Sequence, residues 1–202
     1  IAEAFSYNTS GNGRCYYSAK LHEKSYGGER DWDARWNIIK NLECFDNSKV
    51  LELGCNMAIL SAYLGKFRNI SYSVAVDAPD SLLQETDKPS TIKSAKALIE
   101  GMLLDNVQVI QLDLNLESYE RILGINYDIC CALSIFKWIK DKKRFLNYLS
   151  NFKLVLYEGH DEDSVEISRF PKYKVTILGK TQTGKSYAEN NTRTLLLLEK
   201  IA

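Results

Sequence analysis

Short apolar runs alternate with longer, one-sided apolar patterns along most of the chain. "KVLELG" (49–54), "SYSVAVD" (71–77), "VQVIQLD" (107–113), "YDICCALS" (127–134) and "FKLVLYEG" (152–159) each have the length and β-branched or aromatic content of a buried strand. Between them, 58–67, 90–104 and 140–150 repeat apolar residues at helical spacing, with Ser90 or Thr91 available to cap the second. A further helix is predicted over 30–42, where Trp32, Trp36, Ile39 and Leu42 share one face. Residues 1–29, rich in Tyr, Gly, Asn and Ser, read as loop and turn. The tail supplies two last strands, 173–179 and 192–200, with only a polar segment between them. Strands that alternate with helices require right-handed crossovers, hence a mostly parallel sheet covered on both faces. The last pair, lacking a crossover helix, is expected as an antiparallel hairpin. The expected architecture is a three-layer, doubly wound α/β sandwich: one domain over 30–202, preceded by a lid or substrate segment over 1–29.

Composition narrows the class. At 202 residues with 45% apolar and 26% charged content, the chain can bury a substantial core. Lys plus Arg and Asp plus Glu stand at 26 each, which argues against an extended nucleic-acid footprint. The five cysteines include the adjacent Cys130 and Cys131 and form no C-x-x-C, as expected of reduced, buried thiols in a cytoplasmic protein. With two histidines and no ligand spacing, no metal is expected. No apolar run is long enough to span a bilayer. The chain starts at Ile1, as a piece of a longer protein would.

One motif is well spelled and badly placed. Residues 179–186, "GKTQTGKS", match the phosphate-loop pattern G-x-x-x-x-G-K-[ST]. That loop works only when a helix follows at once, and the sixteen residues after Ser186 are poor in helix formers. A nucleotide hydrolase therefore has no context here, and Lys185 reads as a hairpin-loop lysine.

The stronger chemistry lies upstream, in "LELGCNMAILS". Ligands of open α/β sheets sit beyond the carboxyl ends of the strands, where a glycine such as Gly54 permits close backbone approach. The G-x-G-x-x-G dinucleotide fingerprint is absent. The stretch resembles motif I of class I S-adenosylmethionine-dependent methyltransferases, [DE]-x-G-x-G-x-G, with Glu52 at the acidic position and Asn56 and Ala58 in place of the second and third glycines. That resemblance implies a Rossmann-like fold with S-adenosyl-L-methionine as cofactor. It assigns Gly54, Cys55 and Asn56 to the methionine part and Asp77 to the ribose hydroxyls. It also puts Asp113 and Leu114 by the adenine, and Leu133 and Ser134 at the methyl-transfer mouth.

The flanks narrow the resemblance. "YYSAKLHEKSYGGERDWDARWNII" is similar to the entry segment of bacterial methyltransferases associated with polysaccharide and O-antigen synthesis, and "LSIFKWI" resembles a segment of RNA 5′-phosphate-capping methyltransferases, without that family's final His. By this similarity Tyr16, Tyr17, Arg30 and Arg35 face the cofactor carboxylate or an anionic substrate, and Lys137 contacts a phosphate. Trp138 is expected in the core. Glu158 and His160, after the fifth strand, are with Lys137 the candidate catalytic residues, His160 taking a proton from a hydroxyl. The missing [DN]-PP-[YF] signature argues against amino-group methylation. The expected activity is O-methylation of a saccharide hydroxyl or a phosphate in surface-polysaccharide synthesis, on a small-molecule or glycan acceptor. The alternatives are RNA 5′-phosphate methylation, served by a patch of Arg14, Lys20, Lys24 and Arg30, and a non-catalytic module of a larger glycan-assembly protein.

Overall fold

The computed structural model describes residues 1–9, 15–21, 23–79, 90–122, 125–182 and 192–201. Five parallel strands form most of the sheet: β4 (Lys49–Leu53), β5 (Tyr72–Asp77), β6 (Val107–Gln111), β7 (Ile129–Leu133) and β8 (Leu154–Glu158). They are completed by β9 (Tyr173–Gln182) and β10 (Thr192–Lys200), an antiparallel pair whose β10 also runs antiparallel to β8. The sheet order is β6-β5-β4-β7-β8-β10-β9. The chain leaves β4 toward one edge and returns at β7 to build the other, so a crevice opens beyond the ends of β4 and β7.

Period-two side-chain alternation divides the core into two. Val50, Cys131, Leu156 and Leu195 face a cluster containing Leu60, Tyr63, Leu64 and Leu98, from α3 (Ile59–Phe67) and α4 (Thr91–Gly101). Their neighbours Leu51, Cys130, Val155 and Leu196 face the opposite layer, which holds Phe145 and Leu149 of α5 (Lys142–Leu149). Strands buried on both faces explain the unbroken apolar runs, and the adjacent cysteines simply point into different layers. The fold is thus a Rossmann-like α/β sandwich with a C-terminal antiparallel hairpin. No helix among the described residues is long and apolar enough to cross a membrane.

The described residues among the first 29 are more ordered than their composition predicts. Residues Ala2–Tyr7 form α1, and β1 (Tyr17–Leu21), β2 (Lys24–Tyr26) and β3 (Arg30–Asp31) form a small separate sheet in the order β2-β1-β3. Tertiary partners supply the order that local propensity lacks. The Ser94 hydroxyl of α4 donates to the Ala4 carbonyl at 2.7 Å, and the Ser90 N–H donates to the Tyr7 carbonyl at 3.0 Å. After β3, Asp31 caps α2 (Trp32–Ile39) by accepting from the Ala34 N–H, and Trp32 is buried against Tyr17 and Tyr63. A further helix, α6 (Asp163–Ser168), had no signature because it is short and largely polar.

The phosphate-loop spelling meets a strand. β9 continues through Gln182, so Gly179, Lys180 and Thr181 sit in register with Leu195, Thr194 and Arg193. The remainder of that motif, including Lys185, lies outside the described residues, as do Arg14 and His22.

Candidate active site

The turn after β4 turns left-handed three times. Gly54, Asn56 and Ala58 have φ of 69°, 52° and 53°, the alternate positions at which glycine recurs in the motif this stretch resembles. At Gly54 a second constraint applies, because a Cβ would overlap the Ile135 side chain. Asn tolerates the left-handed region better than most residues, whereas Ala58 holds it as the residue preceding α3.

Hydrogen bonds lock this turn to β5 and to the N-terminal segment. The Asn56 N–H donates to Asp77 Oδ2 at 2.5 Å, and the Ala78 N–H donates to Asp77 Oδ1 at 2.7 Å. The Asn56 Oδ1 accepts from the Met57 N–H and from Asn8 Nδ2, both at 2.8 Å. Asn8 is fully buried, so the segment after α1 holds the glycine turn from the outside.

Over this turn opens a cavity of about 530 Å³, within the range of small-molecule sites. Gly54, Asn56 and Asp77 line one side of it, and Asp113 and Leu114 line the end beyond β6. Leu133 and Ser134 line the side at the end of β7, facing Tyr16, Tyr17 and Arg30 from the N-terminal segment. Ten of the residues expected at the site therefore share one cavity. Asp113 is fixed by accepting from the Asn115 N–H at 2.8 Å, and Asn115 in turn accepts from the Lys140 N–H at 2.8 Å.

The others lie elsewhere. Glu52 is buried beneath the turn, accepting from the Ser61 N–H at 3.0 Å and the Ser61 hydroxyl at 2.6 Å, and burial pushes its carboxyl up to about 7. Cys55 is buried against Ala58, Ala75 and Ala95, with its thiol raised well above the usual range by burial. Arg35 faces Glu158, with Nε to Oε1 at 3.0 Å and Nη2 to Oε2 at 2.8 Å. Burial opposes the Arg35 charge, but the Glu158 carboxylate raises its pKa overall. Glu158 Oε1 also accepts from the Thr181 hydroxyl at 2.6 Å, and Oε2 accepts from the Ser134 hydroxyl. This fully buried carboxylate is engaged on both oxygens.

Lys137 is exposed and lies outside the cavity lining. Trp138, expected in the core, is 71% exposed and lines the cavity mouth, because it sits in a tight turn (Phe136–Trp138) that buries Phe136 instead. His160 is set by its backbone, whose N–H donates to Glu166 Oε1 at 2.7 Å. Burial and then the Arg193 charge lower its imidazole pKa to about 4. Sequence reasoning missed Ile135, Lys140, Asn115 and Asn8. Only Asn115 carried a local signal, a turn-forming residue two positions after a strand-end Asp.

No family model matches the chain, and no curated protein is similar to it by sequence. Solved structures are similar in fold. A dimethyladenosine transferase from Plasmodium falciparum shares 15% identity at a TM-score of 0.61, over 86% of this chain and 63% of that one. A methyltransferase from Pyrococcus furiosus shares 16% at 0.61, over 84% of this chain and 83% of that one. A variant of MtNAS in complex with S-adenosylmethionine shares 12% at 0.54, over 84% of this chain and 61% of that one. The chain thus spans under two thirds of the first and third of these proteins.

Proposed function

We propose that this chain is an S-adenosylmethionine-dependent methyltransferase acting on an oxygen of its acceptor, a saccharide hydroxyl or a phosphate in surface-polysaccharide synthesis. The observation that carries the reading is the triple left-handed turn at 54, 56 and 58, hydrogen-bonded through Asn56 to Asp77 on a cavity of ligand size. The fold likeness to a protein named a methyltransferase supports it.

The residues fit such a cofactor. Asp77, a two-oxygen acceptor held at a strand end by two backbone N–H groups, suits a pair of ribose hydroxyls. The side-chain-free Gly54 lets the methionine part lie against the turn, while Asp113 and Leu114 border the adenine end. When bound, the cofactor supplies a methyl carbon already activated by its sulfonium, so the protein's task is to orient the acceptor and keep water out. Leu133, Ser134 and Tyr17 wall the mouth where the acceptor would enter. Because Glu158 is tied to Arg35, Thr181 and Ser134, its role is to position Ser134. His160, neutral near pH 7, lines a neighbouring cavity with Asp161 and Asp163, from which it would take the proton of a hydroxyl acceptor. An ionised phosphate oxygen needs no base.

The exposed Trp138, with the Lys137 ammonium 5.9 Å from its ring centroid, favours a second reading in which the acceptor is an RNA 5′-phosphate end, stacked on the indole. The cofactor reading is tested by calorimetry. S-adenosylmethionine should bind the wild type, and Asp77→Ala should weaken it about 100-fold. Undiminished affinity in a folded Asp77→Ala would sink it.

A further inference from the structure

Beside the cavity stands a group of cations with too few anions. Arg30 is only 6% exposed, and its Nη1 is buried without a hydrogen-bond partner among the described residues. Its guanidinium lies 4.8 Å from the Tyr16 ring centroid on the cavity wall. Arg193 of β10 likewise buries Nε and Nη1 with no hydrogen bond among the described residues, and its Nη1 lies 3.9 Å from Glu158 Oε2. That oxygen is already engaged by Arg35 and Ser134, so this carboxylate is committed elsewhere. His160 completes the set. The β8–β10 register pairs Glu158 with Leu195, and the Gly159 N–H donates to the Thr194 carbonyl, which brings His160, just past the end of β8, alongside Arg193 within β10. Both His160 ring nitrogens are buried without a hydrogen-bond partner among the described residues.

Burying a cation or a ring nitrogen without a partner costs free energy, and a bound anion would supply the missing acceptors. The groups also repel one another: Arg193 is lowered by burial and then by Arg30, and His160 by burial, Arg193, Arg30 and Lys137. Arg30 shares the cavity wall with Ser134, and Arg193 stands 3.9 Å from the Glu158 oxygen that Ser134 engages. Two planar guanidinium forks therefore flank a place that matches a phosphate or a carboxylate. His160, beside Arg193, lines a neighbouring cavity with Asp161 and Asp163.

We propose that Arg30 and Arg193, with His160 beside them, form an anion subsite next to the cavity that holds a phosphate or carboxylate of the methyl acceptor. The inference rests on the methyltransferase reading for what the neighbouring cavity does, and it narrows the acceptor to an anionic one. An anionic acceptor oxygen needs no base, so here His160 serves as a donor to the anion, taking a proton from solvent as the anion binds, in place of the proton-accepting role it would have toward a hydroxyl acceptor.

The test uses inorganic phosphate and acetate as probes, titrated into the full chain by calorimetry with and without saturating S-adenosylmethionine. At least one should bind in both conditions, and Arg193→Gln should weaken it about ten-fold with cofactor affinity unchanged. Asp77→Ala should lose the cofactor and retain the anion, so failure of this inference and failure of the cofactor reading are distinguishable. In proton NMR the anion should raise the His160 pKa from its low starting value, with His160→Gln assigning the signal against His22. Should Arg193→Gln fail to fold, Arg193→Lys, which keeps the charge and loses the fork, should weaken the anion in the same direction. Anion binding abolished by the cofactor would assign the subsite to the cofactor's own carboxylate and overturn the proposal. Absence of binding by both probes, or equal binding by wild type and a folded Arg193 variant, would overturn it too.

Discussion

Replacing Glu158 by Gln should destabilise the protein more than any surface substitution could. The carboxylate is fully buried, and both its oxygens pair with the Arg35 guanidinium at 2.8–3.0 Å. The Gln side chain cannot neutralise Arg35, which is itself 3% exposed, and it turns an amide donor toward a guanidinium that can only donate. Breaking one side of a buried, hydrogen-bonded ion pair costs about 3–5 kcal/mol. With an unfolding entropy of roughly 2.1 cal/mol/K per residue over the 202-residue chain, that corresponds to a Tm lowered by about 7–12 °C. Thermal unfolding followed by far-ultraviolet circular dichroism measures the shift, and urea midpoints give the free energy. A double-mutant cycle with Arg35→Met and Glu158→Met isolates the pair, since the double variant should lose less than the sum of the two singles. A Glu158→Gln shift below about 2 °C, or strictly additive losses in the cycle, would refute the reasoning.

Two further outcomes follow from local geometry. Leu103, 91% exposed, takes the left-handed position after α4 at φ 55°, where the Leu104 N–H donates to Ile99 and the Leu103 N–H to Glu100. Leu103→Gly should therefore raise stability by about 1 kcal/mol, or roughly 2–4 °C in Tm, and an unchanged or lower Tm would count against it. Burial lifts the Glu52 carboxyl from its ordinary 4.5 to about 7, so the folded chain holds a proton in that window that the unfolded chain has released. Its contribution is then full below pH 4.5 and is lost as pH rises through 7. Urea midpoints at about pH 5 and about pH 8 should fall between the two for wild type more than for Glu52→Gln, and parallel falls would contradict the assignment.

The central strands were legible because burial on both faces leaves an unbroken apolar signature, and each lies within two residues of its expected ends. The cofactor end of the site was legible for a related reason: Gly54, Asp77 and Asp113 stand at strand ends, so fold and chemistry share one coordinate. What escaped was set by distant partners. The residues of α1 and β1–β3 carry loop composition and are ordered through α4 and one another. The pairing of Arg35 with Glu158 spans 123 positions, and no local pattern distinguishes a guanidinium committed to a carboxylate from one awaiting a ligand. Arg193 shows the converse, since its strand predicted a ladder and gave no sign that its buried Nε and Nη1 would have no hydrogen bond among the described residues. Trp138 was misplaced because a large aromatic after an apolar strand normally continues the core, whereas the turn over 136–138 buries Phe136 and ejects the indole.

That ejected indole gives the molecule its own optical readout. Of the three tryptophans, Trp32 is buried in the aromatic cluster with Tyr17 and Tyr63, Trp36 lies against Tyr63 and Phe67, and Trp138 stands at the cavity rim in contact with water. Red-edge excitation and collisional quenching by iodide select the solvated fluorophore. Any molecule entering the crevice would then announce itself in the emission of one residue, without a label.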